Sequence, residues 1–230
     1  KTRFFPCQIK SKWFNHETIV QMCVGLFCSM ILTQQGNIYM WGETDSFTDV
    51  YPNGEEGKCV PQKIDLKCFN NEFIKYISFI DSSCFALTKN NKLYSWGNNT
   101  HGQLGINHNQ KISMPLQVNR NTYNNEKIIK ISRGYNFTLL LTEKQNEKKT
   151  KHIYSCGYNT CRTMTLGYDH QTDTFELINP SHFNNEKIKD IEAGGWHSLA
   201  ITEDKSNDSN SSTKLYSWGH NEDGSMGLSN

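Results

Sequence analysis

The sequence predicts an all-β chain assembled from a repeated unit, and three observations carry that prediction. Tyr39-Met40-Trp41-Gly42, Tyr94-Ser95-Trp96-Gly97, Tyr154-Ser155-Cys156-Gly157 and Tyr216-Ser217-Trp218-Gly219 recur along the chain, with Cys156 standing where the other copies have Trp. Each copy follows an apolar segment that ends in Thr33, Thr88, Thr142 or Thr202. From the aromatic position to the next Thr the distance is 47, 46 and 46 residues, whereas from Thr forward to the aromatic it is 8, 8, 14 and 16. Third, Ile64, Val118 and Ile178 are each followed 13 residues later by Ile77, Ile131 and Ile191, and Ile9 by Met22 at the same step.

Each unit opens with a short strand such as Phe73–Ile77, Ile128–Ser132 or Ile188–Ile191, which alternates β-branched or aromatic residues with polar ones. The Leu-Thr and Tyr-x-Trp-Gly segments then pair as an antiparallel hairpin. Its turn in the first two units is Asn- and Gly-rich, around Gln34-Gln35-Gly36-Asn37 and Lys89-Asn90-Asn91-Lys92. The length variation falls on this turn, because a longer loop costs little while an extra residue inside a strand turns every later side chain to the wrong face. The two long tips, 143–152 and 203–214, are rich in Lys, Glu, Asn, Ser and Asp and read as solvated loops. A closing segment, Pro61-Gln62-Lys63-Ile64 or Pro115-Leu116-Gln117-Val118, ends the unit; in the third copy Phe175 takes the Pro position.

At this point the residues resemble the regulator of chromosome condensation (RCC1) repeat. Trp-Gly is followed by Asn99-Thr100-His101-Gly102-Gln103-Leu104-Gly105 and by Asn221-Glu222-Asp223-Gly224-Ser225-Met226-Gly227, and Gly194-Gly195-Trp196-His197-Ser198-Leu199-Ala200-Ile201-Thr202 has the form of the same family's Leu-Thr strand. The resemblance covers essentially the whole chain. It implies a β-propeller with four-stranded blades, about four of which are present from a ring that in this family has seven. The units are then 1–18, the end of a preceding blade, followed by blades at 19–65, 73–118, 128–178 and 188–230, all in one propeller domain. The last blade lacks its closing segment, so the expectation is that further blades or domains belong to a longer parent protein. The resemblance assigns structural roles to Trp41, Gly42, Trp96, Gly97, Gly102, Gly105, Gly157, Trp218, Gly219, Gly224 and Gly227, and makes His197 a structural hydrogen bonder. Gly after Trp suits positive φ where the strand leaves the blade. Cys156 is expected to leave a thinner contact than the Trp it replaces.

Composition narrows function by exclusion. A formal net charge of +1 supplies no basic field of the kind that drives nucleic-acid binding. No apolar run reaches membrane-spanning length. The eight cysteines form no Cys-x-x-Cys pair and read as buried free thiols of a reducing, intracellular compartment, cytoplasmic or nuclear. The histidines and carboxylates form no metal-ligand spacing or catalytic constellation, so neither metal, cofactor nor catalytic residue is assigned. Recognition is expected in loops at the blade ends, where Tyr135 and Trp196 are the candidate partner contacts, with Asp81 and Arg133 as polar companions; the competing reading is that both aromatics pack between blades. Two functions stay open. One is a protein-protein interaction scaffold or regulatory module. The alternative, implied by the resemblance, is guanine nucleotide exchange on a Ran-like small GTPase, which uses a wedge inserted after the Trp-Gly strand. The constant Trp-to-Thr spans show no such insertion.

Overall fold

The Leu-Thr segments are apolar at nearly every position, the pattern of a strand buried on both faces. The computed structural model describes residues 4–42, 59–80, 82–145, 148–158, 171–203 and 212–228, and in it each Leu-Thr segment is an interior strand of its sheet. The first sheet runs β1 (Ile19–Val24), β2 (Cys28–Thr33), β3 (Ile38–Gly42) and β4 (Gln62–Lys63), and the second β5 (Ile74–Ile80), β6 (Ser83–Thr88), β7 (Leu93–Gly97) and β8 (Ile112–Gln117). The third runs β9 (Lys127–Arg133), β10 (Phe137–Glu143), β11 (Lys151–Gly157) and β12 (Thr172–Leu177); the fourth has β13 (Lys187–Ala193), β14 (His197–Glu203) and β15 (Thr213–Gly219) among the described residues. All pairings are antiparallel, as the repeat predicts. The first strands of successive sheets meet, β1 against β5 and β9 against β13, which makes them the inner edge of four propeller blades.

Alternate residues of one strand serve two cores. On β6, Cys84 and Ala86 join the core shared with blade 1, beside Met30, Met40 and Trp96. Phe85 and Leu87 point the other way and join Leu140, Tyr154 and Cys156 of blade 3. Phe137, Leu139 and Leu141 of β10 repeat the arrangement against Ile191, Ala200 and Trp218. The markers Ile64, Val118, Ile178, Ile77, Ile131 and Ile191 are all buried, which explains their constant spacing. The two long hairpins keep their ladder out to Glu143↔Lys151 and Glu203↔Thr213, so part of each insertion lengthens the strands themselves.

The expectation of a thin contact at Cys156 is overturned. Cys156 is fully buried, and its core also takes up Phe175, whose ring meets Tyr123 edge-on at 6.3 Å and lies over Gly105. A Cβ on Gly105 would fall 2.3 Å from the Phe175 ring. The volume lost from Trp to Cys is thus refilled by the Pro-to-Phe exchange in the same unit.

The step of 13 residues contains a device that the strand pattern does not announce. Between units the chain makes a 3-10 turn, at Ser11–Phe14, Leu66–Phe69, Arg120–Tyr123 and Pro180–Phe183. Asp65, Asn119 and Asn179 cap three of these by accepting the N–H of Lys67, Asn121 and Ser181. Each turn ends in two consecutive left-handed residues, Asn15-His16, Asn70-Asn71, Asn124-Asn125 and Asn184-Asn185, a conformation Asn tolerates well. The first Asn of each pair then donates to the Tyr hydroxyl of its own blade, at 3.2 Å for Tyr39, 2.8 Å for Tyr94 and Tyr154, and 3.0 Å for Tyr216. The Glu that follows accepts the Thr hydroxyl: Thr33 to Glu17, Thr142 to Glu126 and Thr202 to Glu186, each at 2.6 Å. Thr and Tyr of the repeat are therefore the two ends of one polar latch.

The inner edge is stitched by the residue preceding Met22, Ile77 and Ile131 of successive inner strands. Gln21 accepts the Ile77 N–H at 2.9 Å and donates to the Ile77 carbonyl at 2.7 Å. Tyr76 donates to the Ile131 carbonyl at 3.4 Å, and the Lys130 ammonium reaches Asp190 at 3.0 Å and Glu192 at 2.5 Å.

Candidate interaction surface

The turns that join first to second strands lie at one end of the blades, and the exits of the third strands close over them. Backbone N–H groups of Asn98, Tyr158 and His220 donate to the carbonyls of Ser82, Asn136 and Trp196, each at 2.8 Å. That closure needs the Gly after the aromatic. Gly157 has φ +113°, and a Cβ there would lie 2.3 Å from the Asn136 carbonyl oxygen. Below the turn, Asn99 and Asn221 accept the N–H of Leu104 and Met226, while Ser95 and Ser217 donate to the carbonyls of the same two residues. The Asn and Ser of the repeat thus hold the loop end rigid.

On this end Tyr135 and Trp196 stand together. Their ring centroids are 5.1 Å apart at 64°, and the Tyr135 N–H donates to the Gly195 carbonyl at 3.1 Å, joining blade 3 to blade 4. Even so packed, they remain 49% and 46% exposed. The rings pack across a blade boundary and still present a face to solvent. Leu26 and Phe27 occupy the corresponding turn of blade 1 and are exposed as well. His101 and Tyr158 add a second edge-on pair at 4.8 Å.

One expected companion, Arg133, does not join this surface. Arg133 is only 3% exposed. Its guanidinium donates to the Ser83 carbonyl at 2.6 Å and lies 4.9 Å from the Phe85 ring centre, so it pins blade 3 to blade 2 from inside. A long side chain at the end of an inner strand reaches the neighbouring blade more easily than solvent. Asp81 lies outside the described residues. His197 also differs from expectation: its ring packs on Gly194, where a Cβ would be 2.4 Å away, and among the described residues its side chain makes no hydrogen bond. Phe137 makes the same ring-on-glycine contact with Gly134, so in blades 3 and 4 this position places a flat ring against the glycine of the turn.

Among the described residues no group of three or more His, Cys, Asp or Glu could hold a metal ion. Burial pushes the Cys23 thiol up to about 12 and the Cys84 and Cys156 thiols well above the usual range, which suits inert packing rather than nucleophilic attack. Among the described residues no helix is long and apolar enough to cross a membrane.

Comparison with known proteins agrees with this geometry. The model of the regulator of chromosome condensation (RCC1) repeat matches residues 90–141, and a second model of the same repeat matches 188–225. The chain is 36% identical over 163 residues to the human X-linked retinitis pigmentosa GTPase regulator, covering 70% of this chain and 14% of that protein. It is 27% identical over 245 residues to the guanine nucleotide exchange factor SRM1 of Saccharomyces cerevisiae, covering 95% of this chain and 45% of the relative. The chain thus spans less than half the length of either relative. The crystal structure of Prp20p from S. cerevisiae, described with its binding to Gsp1p and histones, superposes with a TM-score of 0.69 at 24% identity over 94% of this chain and 48% of that one. By its repeats, its four antiparallel blades and the turn residues that hold them, this chain belongs to the regulator of chromosome condensation repeat family.

Proposed function

We propose that the chain is a protein-interaction scaffold, part of a longer propeller protein, that engages its partner through the blade-end surface around Tyr135 and Trp196, with Asp81 as a polar neighbour. The observation that carries this reading is the exposed aromatic pair on backbone held rigid by carbonyl-capping glycines and Asn side chains. Tyr and Trp fixed in this way lose little entropy on contact and bury much area. Exchange on a Ran-type GTPase is the second reading, supported by the similarity to SRM1. It requires tighter binding to the nucleotide-free GTPase than to the loaded one, and no covalent step. Release of a fluorescent guanine nucleotide from a purified Ran-type GTPase distinguishes the two. The scaffold reading expects the rate with the full chain to stay within about twofold of the intrinsic one; a rise of about tenfold or more, abolished by Tyr135→Ala/Trp196→Ala, replaces it with exchange.

The parent protein is proposed to supply further blades that cover two open faces. Ile19, Met22 and Val24 are 42%, 80% and 70% exposed, whereas the residues at their places in blade 2, Ile74, Ile77 and Phe79, are buried. A native protein whose intact mass equals the 26.5 kDa of this chain would count against it. Its near-neutral charge supports protein rather than nucleic-acid partners, and the free thiols of Cys7, Cys23, Cys59, Cys68, Cys84 and Cys156 support a reducing compartment, cytoplasm or nucleus.

A further inference from the structure

Every inner strand carries a bulge at the same place, and one of them builds a site. The ladder skips Val20, Lys75, Ile129 and Lys189, so each of these residues is left unpaired and re-aimed out of its strand. Between blades 2 and 3 the bulges flank a cleft of about 360 Å³ whose walls include Lys75, Tyr76, Leu87, Lys127, Ile129 and Lys130. It lies along the first halves of β5 and β9, and neither Tyr135 nor Trp196 lines it.

The charges in this cleft are not balanced as they are in blade 4. There Glu203 pairs with Lys187 at 3.2 Å and Lys189 at 3.5 Å. The residue after the repeat Thr, which is Glu203 in blade 4, is Lys89 in blade 2. In blade 3 it is Glu143, which lies across the ladder from Lys127 without forming an ion pair. Lys130 is taken up by Asp190 and Glu192. Among the described residues neither Lys75 nor Lys127 has a carboxylate within pairing distance. Burial and, after it, the Lys127 charge hold the Lys75 ammonium below the usual lysine range.

We propose that this cleft binds a small phosphate monoester, its dianion between Lys75 and Lys127 and its apolar body against Tyr76, Leu87 and Ile129. Two ammonium groups that no described carboxylate pairs are matched by a group that carries nearly two negative charges at pH 7, whereas a monoanionic carboxylate ligand would leave one lysine uncompensated. The volume lies at the lower end of small-molecule pockets and admits an aryl or short alkyl group behind the phosphate.

Phenyl phosphate is the probe, titrated calorimetrically into the full 230-residue chain at low ionic strength. Saturable one-to-one binding is expected, weakened by about tenfold or more in Lys75→Gln/Lys127→Gln and kept within about threefold in Lys75→Arg/Lys127→Arg. Phenol is expected not to bind, and benzoate to bind at least about tenfold more weakly than the phosphate. Both lysines are exposed, so the variants keep the fold, which an unchanged melting temperature verifies. Absence of binding to the wild type, an unchanged affinity in the glutamine variant, or benzoate binding as tightly as phenyl phosphate overturns the proposal.

Discussion

Blades 2 and 4 carry the same Leu-Tyr-Ser-Trp-Gly strand, and the structure treats them differently. Leu93 of β7 is fully buried while its counterpart Leu215 of β15 is 68% exposed, and Leu87 is buried where Ile201 is 39% exposed. Within each blade the contacts are alike: Phe69 meets Trp96 at 5.8 Å and Phe183 meets Trp218 at 5.7 Å. The Phe-Trp contact and the Glu-Thr latch thus belong to the blade itself. Burial of the alternate strand residues belongs to the blade that follows, and among the described residues blade 4 has none.

The largest test of that division is cavity formation. Leu93→Ala is expected to cost about 3 kcal/mol in urea denaturation, and Leu215→Ala under about 0.5 kcal/mol. Equal costs would mean that burial of this position is set within the blade. The next test concerns blade 3, where Phe175 refills the Trp site. Cys156→Trp alone is expected to destabilise by about 2 to 3 kcal/mol through overpacking, and adding Phe175→Pro to restore at least half of that, since the two side chains compete for one volume. Additive costs in the double variant would show that they do not.

A smaller contrast lies in the latch. Glu126 is buried, accepting Thr142 at 2.6 Å and facing His152 Nδ1 at 2.8 Å, so Glu126→Ala is expected to cost about 2 kcal/mol by stranding buried partners. Glu186→Ala in the open blade should cost less. Its hydrogen bonds from Lys214 and Thr202 hold the Glu186 carboxyl below the usual range. A carboxyl depressed on folding stabilises the protein above its unfolded value, here 4.5, and that contribution disappears as pH falls through the lower folded value. Wild type is therefore expected to lose more stability than Glu186→Gln between about pH 5 and 3. A parallel decline in both would remove Glu186 from the account.

How much of this was legible in the sequence follows from what kind of constraint each residue obeys. The Trp-Gly strands, the Leu-Thr strands and the spacing of Ile64, Val118 and Ile178 from the next unit are local and periodic, and they specified all four blades. The latch was equally periodic but is built from polar residues in a turn: Phe69-Asn70-Asn71-Glu72 recurs as Tyr123-Asn124-Asn125-Glu126 and Phe183-Asn184-Asn185-Glu186, always 16 residues from the Thr it binds. Hydrophobic period searches pass over such a signal. The surface pair Tyr135 and Trp196 could be placed at a blade end from its turn, yet nothing local says that the rings touch. Arg133 was misplaced for the same reason, because its Ser83 and Phe85 partners are some fifty residues away in sequence and only the closed blade boundary brings them near.

The stitch at the inner edge has a further consequence for assembly. Blades this alike could dock in the wrong order, a characteristic failure of repeat chains during folding. Gln21 reads a backbone N–H and carbonyl, Tyr76 reads a carbonyl alone, and Lys130 requires two acids. Each border is keyed by a different chemistry, and Lys130 set against a strand without Asp190 and Glu192 would be left without its two acids. The same position that joins neighbours also tells each blade which neighbour it has found.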